Sequence, residues 1–347
     1  MRKLIALLTA LWMLIAVSAA EEALLYDPAT VISVLPLSER QQALADWLYG
    51  PVFRGEAHIA LPKGTLYDDV APALNSLTQN HPELFHLAPE YRISYYTHAP
   101  ETATQVELSY RVPPDEAAQL RAQMYIRAGL MITESPDPLA LHDALCASVT
   151  YGGNTGLRHT AAGALLDGEA TCEGYAQALT LLYRMAGVPC GVIVGDATDS
   201  NGQTERHAWN IADIDGYSLI DATWNDQDAL NLNTHWYYGL STGCMAADHT
   251  PDAEQTVPLC TGEANWHSRH GYIVHDADQA DAAIRRLVAG ETINLRASDR
   301  TMYAALTDDF PTWLDHYNQR NPDAAFYGAY SMIVSDAQMC IILQRAE

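Results

Sequence analysis

Lysine is almost absent from this chain of 347 residues, and positive charge as a whole is scarce. Lys3 and Lys63 are the only lysines, and 19 Lys+Arg stand against 43 Asp+Glu for a formal net charge of -24. A surface this acidic repels phosphate groups, so nucleic acids and anionic membrane surfaces are not expected as partners. The charge balance argues against these partners but does not indicate a fold.

Long apolar runs are also missing, apart from one at the N-terminus. Leu4–Val17 follows Arg2 and Lys3, and it ends before small residues that signal peptidase requires, Ser18-Ala19-Ala20. The run is shorter than the about 20 residues that a transmembrane helix needs. We therefore predict a signal peptide over residues 1–20, a secreted or extracytoplasmic protein, and no membrane span after signal removal. An uncleaved N-terminal anchor is the alternative.

Cysteine is too sparse for a small disulfide scaffold. The chain has six, irregularly spaced at positions 146, 172, 190, 244, 260 and 340. An exported protein can nevertheless form disulfides. Cys244 and Cys260 flank a loop-like stretch, so they are the favoured pair.

Two segments of the chain resemble each other in pattern. Each is predicted as strand, helix, Pro-acidic turn and two strands. The first has its strand at 58–62 and its helix at 67–78, and the second has them at 292–296 and 302–317. This pattern suggests two similar α+β modules, with coincidence as the alternative.

These modules flank a central stretch with different periodicity. Two helices are predicted over 115–150 with a break near Pro136–Pro138, followed by a helix and three strands. We predict an N-terminal α+β accessory domain over 21–114, a catalytic core over 115–260 and a C-terminal α+β segment over 261–347.

Cys172 lies at the start of a predicted helix over 173–187, which Gly187 and Pro189 would close. The free N–H groups and the dipole at a helix start favour an anion, so a thiolate would be stabilised there. The same N–H groups could receive a developing oxyanion. The alternative is a small buried side chain at the start of a core helix.

His207 and Asp221 are the partners that a cysteine nucleophile would need. His207 opens the predicted strand 207–214, and Asp221 lies in the next predicted strand, 217–224. The two side chains share a face only if Ile214-Asp215-Gly216 forms a three-residue loop, with Gly216 in the left-handed position of a bulge. The triad hypothesis therefore predicts this bulged hairpin.

The motifs "TCEGYAQAL" (171–179) and "HAWNIADIDGYSLIDATW" (207–224) resemble the transglutaminase-like superfamily, most densely over His142–Asp226. The resemblance implies an α+β fold with a papain-like core, in which the nucleophile helix packs on an antiparallel sheet. It implies Cys172 as nucleophile, His207 as base and Asp221 as orienting carboxylate.

The resemblance also suggests residues that could surround the triad. "HDALCASVTYGG" (142–153) resembles the segment before the nucleophile helix, where an aromatic side chain can assist the oxyanion hole, and this suggests Tyr151. Trp209 and Trp224 are expected to wall the cleft or pack the sheet.

No metal or other cofactor is predicted. The stretch 196–205 superficially resembles an EF-hand loop, but the alignment puts Ala197 and Ala208 where carboxylates are required. The histidines of the later loops match no zinc spacing and are expected in solvated loops. They are His235, His249, His267 and His270.

The implied chemistry is acyl transfer through a thioester at Cys172. We predict hydrolysis of peptide or amide bonds, because exported bacterial members of the superfamily are more often suspected peptidases. The expected partner is a protein or peptide substrate, with cell-wall peptides among the candidates. The alternatives are a protein-crosslinking transglutaminase with an amine acceptor, and a non-catalytic cell-surface binding module that retains the fold.

Overall fold

The computed structural model describes residues 25–153, 156–227 and 232–346, which form a mixed α+β fold and confirm the predicted class. The N-terminal elements are α1 (Glu39–Phe53), β1 (His58–Ala60), α2 (Tyr67–Asn80), β2 (Leu87–Tyr96) and β3 (Ala99–Tyr110). The central elements are α3 (Pro114–Glu134), α4 (Pro138–Cys146), β4 (Thr150–Tyr151), β5 (Glu169–Ala170), α5 (Cys172–Met185), β6 (Cys190–Thr198), β7 (Thr204–Asp213), β8 (Tyr217–Ile220), α6 (Ala222–Asn225), β9 (Asp226–Gln227), β10 (Leu232–Asn233), β11 (Tyr238–Leu240), α7 (Thr242–Met245) and β12 (His249–Pro251). The C-terminal elements are α8 (Trp266–His270), β13 (Ile273–Val274), α9 (Ala277–Val288), β14 (Ile293–Ala297), α10 (Arg300–Asp308), α11 (Phe310–Arg320), β15 (Tyr330–Ser335) and β16 (Cys340–Arg345).

The two flanking segments, which resemble each other in sequence pattern, also share a sheet topology. The N-terminal sheet has the order β1-β3-β2, and the C-terminal sheet has the equivalent order β14-β16-β15 with β13 added at its edge. The prediction of one helix over 302–317 is wrong in one respect, because this stretch forms two helices, α10 and α11. Pro311 has no N–H to donate and would clash inside a longer helix, but it fits the first turn of α11.

Helix α5, which begins at Cys172, packs on a five-stranded antiparallel sheet with the order β11-β8-β7-β6-β12. The helix is buried from Gly174 to Arg184, as its small and apolar side chains allow. Asn210 of β7 also ties the helix to the sheet, because its Nδ2 donates to Ala176 O and Thr180 Oγ1, both at 2.9 Å. The predicted arrangement of a helix on an antiparallel sheet is therefore present.

The β7–β8 hairpin has the predicted register. Asp213 pairs with Tyr217, which leaves the three residues 214–216 in the loop. Gly216 has a φ of +103°, in the region that favours glycine, and Asp215 also has a positive φ of 55°. The three-residue loop on which the triad hypothesis depends is thus confirmed.

The strand predicted over 217–224 is too long. β8 ends at Ile220, and the Oδ1 atom of Asp221 accepts a hydrogen bond from Trp224 N at 3.1 Å. Asp221 is therefore the N-cap of the short helix α6, because its side chain satisfies a free N–H of the first turn.

All six cysteines are free thiols, so the expected Cys244–Cys260 disulfide is wrong for this structure. The Cys260 thiol instead donates to Pro258 O at 3.4 Å. Cys244 and Cys260 pack in one apolar cluster without a bond between them.

Among the described helices, none is long and apolar enough to cross a bilayer. The apolar run Leu4–Val17 lies outside the described residues, so the signal peptide over residues 1–20 stays a prediction. The domain boundaries at residues 114 and 260 also stay predictions.

Gly174, in the first turn of α5, has no room for a side chain. A Cβ at this position would lie 2.4 Å from Arg158 O, 2.8 Å from Ala170 Cβ and 3.2 Å from Thr160 O. Gly→Ala in a helix normally stabilises a protein by roughly 0.5–1 kcal/mol. We expect Gly174→Ala to do the opposite and to destabilise by about 1–3 kcal/mol, because the contacted atoms are mainly backbone.

Urea unfolding monitored by circular dichroism measures this difference. Gly243→Ala in α7 is the matched control, since a Cβ there meets nothing within 4 Å. The control should unfold at the same urea concentration as the wild type or above it. A Gly174→Ala protein as stable as the control would contradict the packing described here.

Candidate active site

Cys172 is the first residue of α5, and the start of this helix has no side-chain cap. Thr171 occupies the N-cap position, but its hydroxyl is 3.0 Å from His159 Nδ1 and does not bond to the helix. The first N–H groups of an α-helix have no partner within it, and the helix dipole makes this end positive. The half-buried Cys172 thiol therefore lies beside backbone donors that can stabilise negative charge.

His207 and Asp221 meet above the sheet, as the hairpin register requires. His207 Nε2 lies 2.8 Å from Asp221 Oδ2, and both residues are buried. The Cys172 thiol also interacts with His207. Because Nε2 faces the carboxylate, Nδ1 is the ring nitrogen left to exchange a proton with Cys172.

The electrostatics of this pair favour an imidazolium. Burial opposes the charge, but the Asp221 carboxylate and the Cys172 thiol raise the pKa of His207 from 6.5 to about 10. Burial alone would raise the pKa of Asp221, but its contacts with His207 and His249 hold the pKa well below the usual range. The carboxylate is ionised at neutral pH.

A second buried histidine, His249, contacts the same carboxylate. Its Nε2 lies 3.2 Å from Asp221 Oδ2, and its Nδ1 lies 2.6 Å from Asp248 Oδ1. The expectation that His249 lies in a solvated loop is wrong, since only 2% of its surface is exposed. His249 begins β12, whose pairing with β6 carries it into the core.

The other loop histidines are also less solvated than expected. His267 is fully buried and His235 is half-buried, whereas His270 is exposed. Buried His267 has its Nε2 2.9 Å from Asn294 Oδ1 of the C-terminal sheet. The solvated-loop prediction is therefore wrong for His235 and His267, because each has a partner distant in sequence, Asp143 and Asn294 respectively.

His142, Asp143 and His235 form one of two described groups whose ligand atoms lie close enough to hold a metal ion. Asn225 Oδ1 accepts from Tyr237 N at 2.8 Å, so its Nδ2 donates to His142 Nε2 at 3.1 Å. His142 Nε2 must then be an acceptor, and Nδ1 carries the proton that it donates to Asp143. With this tautomer, Nδ1 is not free to bind a metal.

His207, Asp221 and His249 form the second such group. Both imidazole Nε2 atoms point at Asp221 Oδ2, and Asp221 Oδ1 accepts from Trp224 N. Each ligand atom that faces the centre of the group is therefore already engaged in a hydrogen bond. Neither group is assigned as a metal site.

The three aromatic candidates occupy different positions around the triad. Tyr151 pairs with Ala170 and is half-exposed, and the nearby Cys172 contributes, after burial, to raising the pKa of Tyr151. Trp209 is buried in the sheet core, so it packs the sheet. Trp224 is half-buried with its ring 5.3 Å from His207, at the wall of a cleft.

Two of the described clefts are lined by neighbours of Cys172, His207 and Asp221, although these three residues line neither cleft. One, of about 460 Å³, is lined by Glu173 and Gln177 next to the nucleophile and by Val192 and Val194 of β6. The other, of about 600 Å³, is lined by Trp224 and by residues 333–337 around the end of β15.

A family model described as the transglutaminase-like superfamily matches residues 132–224, a segment that contains Cys172, His207 and Asp221. The predicted resemblance is thus confirmed, and over this segment the chain is similar to cysteine-type enzymes of that superfamily.

Structural comparison found a crystal structure of a candidate cysteine protease from Cytophaga hutchinsonii. The two proteins are 15% identical, and the similarity covers 51% of this chain and 70% of that one with a TM-score of 0.26. A TM-score this low does not support an argument about fold or function. A sequence comparison with curated proteins gave no match.

Proposed function

We propose that this chain is an exported, cysteine-dependent acyl-transfer enzyme that hydrolyses peptide or amide bonds through a Cys172-His207-Asp221 triad. The observation that carries the proposal is the 2.8 Å contact between His207 Nε2 and Asp221 Oδ2. This contact leaves Nδ1 for the thiol at the uncapped start of α5. A nucleophile, a base and an orienting group with these relations support acyl transfer.

The first half-reaction forms a thioester. The Cys172 thiolate attacks the carbonyl carbon, and backbone N–H groups at the start of α5 stabilise the resulting oxyanion. His207 then donates its Nδ1 proton to the leaving amine as the C–N bond breaks. Asp221 keeps the imidazole in the productive tautomer and stabilises its charged form.

The second half-reaction determines the product. His207 removes a proton from water, the hydroxide oxygen attacks the thioester carbonyl, and the carboxylic acid leaves as the thiolate is regenerated. A primary amine in place of water would give a new amide bond and a crosslinking activity. The cleft lined by Glu173 and Gln177, which follow Cys172 in α5, supports a peptide substrate, and an outside location would give access to cell-wall peptides.

A substrate-profiling screen tests this function. Peptide, peptidoglycan-stem and glutamine-amide libraries are incubated with the wild type and with His207→Ala, and new carboxylates are detected by mass spectrometry. We expect cleavage by the wild type only. No turnover of any library would favour the non-catalytic binding module instead.

The choice of acceptor is tested on the trapped thioester. Acid quenching during turnover should show the acyl group on Cys172, and adding a primary amine before the quench competes with water. We expect the free acid to remain the main product at millimolar amine. A predominant amide product would replace hydrolysis with the crosslinking alternative.

A further inference from the structure

We infer that His249 is a buried imidazolium that positions Asp221 and shares this carboxylate with His207. The inference rests on the proposed function, because it assigns His249 as a positioning residue for the triad. His249 itself does not contact the reacting atoms.

The charge on His249 follows from its hydrogen-bond partners. Nδ1 lies 2.6 Å from Asp248 Oδ1 and Nε2 lies 3.2 Å from Asp221 Oδ2, so both nitrogens face carboxylate oxygens. A neutral imidazole carries one N–H, and its other nitrogen would point a lone pair at an anion. An imidazolium donates to both.

The other groups that bind the Asp221 and Asp248 carboxylates are hydrogen-bond donors. Asp221 Oδ1 accepts from Trp224 N, and Asp248 Oδ2 accepts from Tyr237 Oη at 2.7 Å. Gln338 Nε2, from the turn between β15 and β16, also donates to Asp248. Each carboxylate is therefore surrounded by donors, which is the arrangement that an imidazolium between them requires.

The surroundings of His249 also suit a cation. The rings of Trp224, Trp209 and Tyr237 lie 4.6, 5.0 and 5.5 Å from its ring, within the range of cation–π attraction. Burial works against charge at this site, but the hydrogen bonds to Asp221 and Asp248 raise the pKa of His249 above its ordinary value.

The consequence for the triad is electrostatic. His207, on β7, lies with its ring 5.5 Å from that of His249, and both bind Asp221 Oδ2. The positive charge on His249 offsets part of the attraction between Asp221 and the His207 proton. His207 can then release that proton to the leaving amine more readily.

Nitrogen-15 spectra of histidine-labelled protein test the charge directly and require no substrate. His249, assigned by loss of its signals in His249→Gln, should keep protons on both ring nitrogens between pH 5 and pH 8. A single protonated nitrogen at neutral pH would overturn the inference. This result is independent of whether any library substrate is cleaved, so it separates failure of the inference from failure of the proposed function.

The pH dependence of Cys172 alkylation by iodoacetamide tests the positioning role. The acid limb is the low-pH part of the profile, where the alkylation rate rises as the thiolate forms. Removing a positive charge disfavours the thiolate, so we expect the acid limb of His249→Gln to move to higher pH by about one unit. Asp248→Asn removes one of the two carboxylates that hold the charge on His249, so its acid limb should also move up, by a smaller amount. His86→Gln, which removes a buried histidine of the N-terminal module, should leave the limb unchanged.

A structural role for His249 would lower stability without moving these limbs. Limbs that do not move, or that move to lower pH, would therefore overturn the inference. Elemental analysis provides a further check on the purified protein. One equivalent of tightly bound zinc in the wild type, lost in His249→Gln, would also overturn it and assign the group as a metal site.

Discussion

Replacing Cys172 with alanine is expected to lower kcat/KM for the best library substrate by about 10⁴-fold or more, as for removal of a nucleophile from other triads. The thioester cannot form without the thiol, so only uncatalysed attack by water remains. Cys172 is half-buried and alanine is smaller, so the urea midpoint of the variant should stay close to that of the wild type. The measurement is initial cleavage rate against substrate concentration.

Cys244→Ala is the matched control for this result, because Cys244 is also a half-buried free thiol but lies outside the triad. We expect its kcat/KM to remain within about twofold of the wild-type value, since surface or peripheral substitutions have small effects. A Cys172→Ala protein that keeps a tenth or more of the wild-type activity would contradict a thioester mechanism.

Replacing Asp221 with alanine is expected to lower both stability and activity. The substitution removes the anion that His207 and His249 share, and it removes the cap that binds Trp224 N. Breaking a buried ion pair by deleting one partner typically costs about 3–5 kcal/mol. Loss of the orienting carboxylate lowers kcat by about 10⁴-fold in a comparable triad.

The pH dependence of stability shows whether the loss in Asp221→Ala comes from the carboxylate that the two histidines share. The pKa of Asp221 is lowered by folding, so its contribution is present above about pH 4 and is lost as pH falls. The pKa values of His207 and His249 are raised, so their contribution is complete below about pH 6.5 and is lost as pH rises, towards about 10 for His207. The contribution of Asp221, His207 and His249 to wild-type stability should therefore be greatest between about pH 4 and 6.5.

Thermal unfolding between pH 3 and pH 10 measures this profile for the wild type, Asp221→Ala and Asp221→Asn. The maximum should be flattened in both variants, and the asparagine should retain more stability because its side-chain oxygen can still cap α6. Parallel pH profiles for the wild type and Asp221→Ala would show that the two histidines do not depend on this carboxylate.

The sequence was sufficient to predict that His207 and Asp221 lie together, because the signals for their placement are local. The sequence Ile214-Asp215-Gly216 suited a three-residue loop better than a two-residue one, and that loop determines which residues share a face. Gly187 likewise marked the end of α5, and it has the left-handed φ of +82° typical of a helix C-terminus.

The contacts of His249 could not be predicted in this way. β12 has only three residues, and its burial depends on pairing with β6, about fifty residues earlier in the chain. Its partners, Asp221 and Asp248, bind the two ring nitrogens of His249. These contacts depend on tertiary packing, which the periodicity of the sequence does not indicate. The prediction of one undivided helix over 302–317 was a different error. The apolar spacing continues across Pro311, but this proline lies in the first turn of a new helix.

The central claim is that His207 activates Cys172, and the alkylation rate of individual thiols at pH 6 tests it most directly. Burial raises the pKa of Cys190 and Cys260 to about 11, so these thiols should react slowly, and Cys244 serves as the accessible reference. With iodoacetamide and peptide mapping, we predict that Cys172 reacts at least tenfold faster than Cys244 and loses this advantage in His207→Ala. Equal rates for Cys172 and Cys244, unchanged by His207→Ala, would contradict the account.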